Sequence, residues 1–208
     1  MSAHELVVTS NDVEGSRAIA RQLGGIVYID DRADTGSLPF HALIRLPLDG
    51  LTAAESADLA GISLGAYRVT PREIKSGSMS VVALHAMVRH PELSHAQADA
   101  HWHLQHGPLA LIHHPYMSQY IQLSVDECLS GPSYDGFALC GFSNLEDLKQ
   151  RFFAGPPSID VIRTDVGKFS DVRRSPRRLV AQVIHPGADA AVRVAPIGQS
   201  SRKPLNRV

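Results

Sequence analysis

The chain is short of cysteine, of aromatics and of net charge, and each shortage excludes something. Only Cys128 and Cys140 occur in 208 residues, and they do not have the spacing of a metal site. They fit free thiols in a reducing compartment, with one disulfide between them as the open alternative. Aromatics make up 6% of the chain, and none interleaves the basic stretches Arg173–Arg178 and Arg202–Arg207. Those stretches therefore read as solvated or partner-draped segments rather than nucleic-acid arms. The formal net charge is −1, so nothing global attracts nucleic acid. No apolar run approaches the roughly 20 residues of a membrane span. The opening Met1-Ser-Ala-His-Glu5 lacks a leader pattern. A soluble, cytoplasmic protein is expected, with no nucleic-acid or membrane partner.

What is present is core-forming material and histidine. Apolar residues account for 44% of the chain, an ordinary share for a globular protein, and the length suits one large domain or two small ones. Two halves share one rhythm. In the first, Glu5–Thr9 reads as a strand. Ser10 or Asn11 is placed as an N-cap, and Val13, Ala18, Ile19 and Leu23 recur at helical spacing until Gly24-Gly25. Ile26–Asp30 and Phe40–Leu46 read as strands. Thr52 with Glu55 forms a capping box, and Ala66–Thr70 is a fourth strand. The order is βαββαβ, a ferredoxin-like unit.

After the linker Lys75–Met79 the rhythm repeats. In Ser80–Val88, Val81, Ala83, His85 and Met87 share one face, and Val82, Leu84 and Ala86 share the other. Ser94 caps a helix predicted to end at Gly107-Pro108, because Gly terminates helices and Pro cannot extend them. Ser118–Val125 and Gly136–Phe142 are strands, Asn144 caps a helix, Ser158–Val166 is a further helical piece, and Leu179–His185 closes the unit. The expected fold is α+β: two tandem ferredoxin-like units, 1–75 and 80–185, forming an α+β barrel, with a homodimer expected as well. A flexible basic tail, 186–208, follows. Stacked sheets bury each other's open faces, and a small-molecule cavity is expected between them.

The most informative stretch is Asp99-Ala-His-Trp-His-Leu-Gln-His106-Gly-Pro-Leu-Ala110. Three histidines and the only tryptophan crowd a helix end, and histidine titrates near neutral pH. This block, the strand before it, the turn Tyr134-Asp-Gly136, and Phe142–Lys149 with Asp165–Asp171 resemble the EthD family of dimeric α+β-barrel proteins over about Ser80–His185. The resemblance implies a cavity mouth near His106. It also implies a superfamily that holds lactone isomerases, polyketide cyclases, decarboxylases, dehydratases and cofactor-free monooxygenases. The first half lacks the Trp-x-x-x-His-Gly-Pro block.

His106 is the leading acid–base candidate, since a helix C-terminus favours imidazolium. His85 is a second base or orienter, and Tyr120 an oxyanion donor. Trp102, His103 and Tyr134 are candidates for substrate contact, although Trp102 also fits a core position. His101, five residues before His106, is expected to point elsewhere. His113-His114 join a histidine-rich patch without the carboxylate or cysteine that would complete a metal site. Cys140 reads as a small buried hydrophobe. The expected activity is cofactor-independent acid–base chemistry (cyclisation, dehydration, isomerisation or another lyase step) on a hydrophobic oxygenated substrate such as a polyketide, phenol or lactone. A cofactor-free monooxygenase and a non-catalytic binding protein are the alternatives.

Overall fold

The computed structural model describes residues 4–30, 32, 37–48 and 51–185; the expected basic tail, 186–208, lies outside the described residues. Strand β1 is Glu5–Ser10, and helix α1 is Val13–Leu23. The N-cap of α1 is Asp12, whose carboxylate accepts from the Gly15 amide. Neither Ser10 nor Asn11 takes that role: the Ser10 hydroxyl is buried and donates to the Ile62 carbonyl. Gly24 ends α1 at φ 70°, a conformation that only glycine adopts without cost. Strands β2 (Ile26–Ile29) and β3 (Ala42–Pro47) follow, then α2 (Ala53–Ile62) and β4 (Ser63–Lys75). The Thr52–Glu55 capping box is formed.

The second half supplies β5 (Val81–Met87), a long helical stretch, β6 (Gln119–Ser130) and β7 (Gly136–Phe142). Two helices, α5 (Leu145–Gln150) and α6 (Pro156–Phe169), and a last strand, β8 (Leu179–Ile184), complete it. Asn144 caps α5 through the Asp147 amide.

The eight strands close one antiparallel barrel in the order β1-β3-β2-β8-β5-β7-β6-β4. Each half contributes four consecutive strands in the ferredoxin-like arrangement. Two seams join the halves. In one, Tyr28 pairs with Val183; in the other, a long ladder runs from Ala66↔Ser130 to Lys75↔Tyr120. Both lie within one chain, so the sheet closes without a partner and without free edges.

Period-two alternation decides what each strand residue meets. Val7, Tyr28, Leu43, Tyr67, Leu84 and Leu139 belong to one cluster drawn from every part of the barrel, its interior. An eight-stranded barrel is just wide enough for side chains to fill it, and these large residues do so. Where a cavity is expected between the sheets, the described residues form packed core. The outer face of the first half is closed by α1 and α2 over Leu6, Val8, Ile29 and Ile44. On the outer face of the second half, β5 presents Val81, Ala83 and His85 to the helices, and β7 presents Ala138 and Cys140. The site lies there.

Candidate functional site

The helical stretch over the second half does not stop at Gly107-Pro108. Helix α3 (His95–His101) runs into a five-residue π-helical turn, Trp102–His106, and then into α4 (Gly107–His113). The Gly107 amide bonds back five residues to the Trp102 carbonyl. Proline lacks an amide and its ring crowds the carbonyl four residues back. A π-turn just before Pro108 accommodates both defects without ending the helix, and π-turns of this kind recur at functional sites. His106 is consequently in mid-helix, so the helix-end argument for a charged imidazole does not apply.

The wider turn also changes which side chains align. His101 and His106, five residues apart, both reach Asp165 of α6. His101 Nε2 lies 3.0 Å from Asp165 Oδ1, and His106 Nδ1 lies 2.9 Å from Oδ2. His101 was expected to point elsewhere because five residues is not a helical repeat, but the π-turn makes it one here. An ionised carboxylate only accepts, so both rings donate. Nε2 is therefore the basic nitrogen left to His106. Burial lowers the His106 pKa below the ordinary histidine value, against the opposing pull of Asp165, so the ring is neutral at pH 7. Burial would raise the Asp165 pKa, but the hydrogen bonds from His101 and His106 hold it below the usual carboxylate range. Phe169 lies against both imidazoles, with ring centroids 5.4 and 5.0 Å away.

Tyr120 is buried on β6, and its hydroxyl receives Trp102 Nε1 and Gln122 Nε2, each at 3.1 Å. Burial raises the phenol's pKa, so Tyr120 stays protonated. With two donors feeding its oxygen, its own O–H is left to donate. Trp102 fits against β7 because Gly136 has no side chain: a Cβ there would sit 2.5 Å from the indole.

These groups meet at a cavity of about 280 Å³ between the outer sheet face and the helices, near the small end of ligand pockets. His85, Trp102, His106 and Tyr120 all line it. Ala138 and Cys140 make a low floor on β7, with Phe152 and Phe169 among the walls. The His85 imidazole makes no hydrogen bond among the described residues, although its backbone is paired with Ala138 in the sheet. Burial, reinforced by Arg178 and His114, pushes its pKa to about 3, so it too is neutral. Burial likewise lowers His114 to about 4, with its Nδ1 2.7 Å from the Phe152 carbonyl. The Cys140 thiol is pushed up to about 12 by burial, leaving it an inert hydrophobe as read from the sequence.

Two candidates do not join the cavity. Tyr134 packs on the barrel core beside Tyr67 and Phe137, with centroids 5.9 and 5.7 Å away, because its turn sits at the barrel end. His103 is half-buried outside the lining, one residue from Trp102 and so on another face of the helix. Sequence reasoning missed the pairing role of Asp165 and the place of Arg178. A carboxylate four residues before Phe169, on the buried stripe of α6, was the available signal, since a buried acid needs a partner. Among the described residues, no three His, Cys, Asp or Glu side chains are arranged to hold a metal. No described helix is long and apolar enough to cross a membrane.

No protein-family model matches the chain, and no curated protein matches it by sequence. Solved structures do. An anthrone oxidase-like protein superposes with a TM-score of 0.53 at 8% identity, over 88% of this chain and 90% of that one. The likeness is one of fold. A provisionally assigned monooxygenase of Lactobacillus acidophilus gives a TM-score of 0.44 at 10% identity, covering 87% of this chain and 92% of its own. Another, from Fusobacterium nucleatum, gives 0.49 at 9%, covering 86% and 90%.

Proposed function

We propose that this chain is an EthD-like α+β-barrel enzyme that removes a proton from a small hydrophobic oxygenated substrate. The observation that carries this reading is the buried neutral His106, oriented by Asp165 at one nitrogen and bordering the cavity. A base held neutral at pH 7, with its tautomer set by a carboxylate, suits general-base catalysis. Substrate would bind between the apolar walls with an acidic C–H or O–H toward His106 Nε2. Charge would develop on the adjacent oxygen, where the Tyr120 hydroxyl donates in a water-poor setting. His85, neutral and unpaired, would accept or return a proton, completing an isomerisation, cyclisation or dehydration. Trp102 would serve as positioning support for Tyr120 and as cavity wall.

A second reading shares the first step. The likeness to an anthrone oxidase-like protein favours a cofactor-free oxygenase, in which the deprotonated carbon passes electrons to O₂. The resulting hydroperoxide would lose water to leave a carbonyl, with one oxygen atom in product and one in water.

Deuterium exchange at the acidic C–H of 2-tetralone, followed by NMR in D₂O, tests the shared step. Wild type should accelerate exchange, and His106→Gln should lose about 10²–10⁴-fold of that acceleration. Equal exchange by both proteins would refute the base assignment. A dissolved-oxygen electrode on the same mixture separates the readings, since the lyase or isomerase reading predicts no oxygen loss.

A further inference from the structure

Arg178 is the feature that acid–base chemistry leaves over. It stands immediately before β8 in a stretch that reads as a solvated basic run, yet its side chain is half-buried and lines the cavity. Its guanidinium lies 4.9 Å over the Phe152 ring. Among the described residues no carboxylate pairs with it and no acceptor takes a hydrogen bond from it. The neighbouring charge does not help: Arg32 also acts on it, and Asp30 is engaged by Arg32 at 2.6 Å and by the Val180 amide at 2.8 Å. The polar groups around it in the cavity, His85, His114 and Cys140, are all neutral.

A half-buried cation with no counter-charge among the described residues is costly, and the guanidinium fork matches a carboxylate with two parallel hydrogen bonds. One cation among neutral walls suits one negative charge, whereas a phosphate dianion would call for more. Resting on the reading of this cavity as a substrate site, we propose that the substrate carries a carboxylate that pairs with Arg178. The occupant is then a small hydrophobic carboxylic acid, anchored at one end by Arg178 beside Phe152 and presented to His106 and Tyr120. Arg178 sets specificity and binding, and takes no proton.

The test compares cyclohexane-, indane- and naphthalene-carboxylate with their carboxamides by titration calorimetry against the full chain, at pH 7. Trp102 is the only tryptophan, so quenching of its fluorescence by the transparent cyclohexane pair reports occupancy of this cavity. Wild type should bind the acids about 10- to 100-fold more tightly than the amides. Arg178→Gln should erase that preference by lowering acid affinity to about that of the amides. Arg178→Lys, which keeps the charge and loses the fork, should retain part of it and guards against a folding defect in the glutamine variant. Amides binding as well as acids, or an acid preference that survives in Arg178→Gln, would overturn the anion assignment and leave the cavity reading standing. Failure of every acid and amide to bind would overturn both.

Discussion

At the scale of single residues, the site depends on two histidines kept uncharged and one carboxylate kept charged. Asp165→Asn replaces an obligatory acceptor by a group that can also donate, so it frees the His106 ring to take the wrong tautomer. Its turnover should fall at least about tenfold, with KM nearly unchanged, as expected for a residue that positions the base rather than the substrate. The pH profile follows from the direction of the shift. Burial depresses the His106 pKa and the unprotonated ring is the active form, so kcat/KM should rise through an inflection below about 6.5 and then stay level through neutrality. An inflection above 7 would mean a base other than His106. The sequence marks His106 as the histidine before Gly107-Pro108, although the helix runs on through that pair. It does not mark its partner, because Asp165 lies 59 residues away and nothing local joins the two. Arg178 was hidden differently: a basic run reads as solvated, and only the fold turns one member of it inward.

At the scale of elements, the π-turn places the site. Gln105 is exposed within it, so inserting an alanine after Gln105 should set His101 and His106 six residues apart, rotate His106 by about 100° and break its alignment with Asp165. Circular dichroism should keep its helical signal while activity falls at least about tenfold; undiminished activity would show that the turn is incidental. Gly136→Ala forces a methyl into the Trp102 ring. Overpacking of this kind costs about 1–3 kcal/mol, and thermal unfolding should show it along with weaker Trp102–Tyr120 coupling. Strand alternation, the Thr52 capping box, the Ser94 N-cap and the Gly24 stop are readable from sequence. Continuation through Gly107-Pro108 is not, since that pair ordinarily ends a helix and only long-range packing offsets its local cost. Alternation also could not say which face of β5 looks into the barrel, because both faces are apolar. His85 was therefore ambiguous until the closed sheet put it beneath the helices.

At the scale of the whole molecule, closure of the barrel within one chain fills the centre and leaves the chemistry to the layer between the outer sheet face and the helices. Several neutral histidines buried in that layer tie stability to pH. The folded-state pKa of His85 is about 3 and that of His114 about 4, both below the unfolded value of about 6.5. The unfolded chain therefore gains protons first as the pH drops. Stability contributed by the neutral rings is complete above about 6.5 and declines below it. The decline flattens as the pH passes about 4 and then about 3, by at most about 1.4 kcal/mol per pH unit for each histidine. Urea unfolding between pH 7 and 4 should show this slope, and it should be shallower in His114→Gln.

The central claim is that His106 is a neutral, Nδ1-protonated base, and ¹⁵N-detected histidine NMR observes that state directly. At pH 7 the His106 signals should report a neutral ring with its proton on Nδ1, and this tautomer should be lost in Asp165→Asn. An imidazolium at pH 7, or a neutral ring protonated on Nε2, would contradict the assignment of His106 as the base.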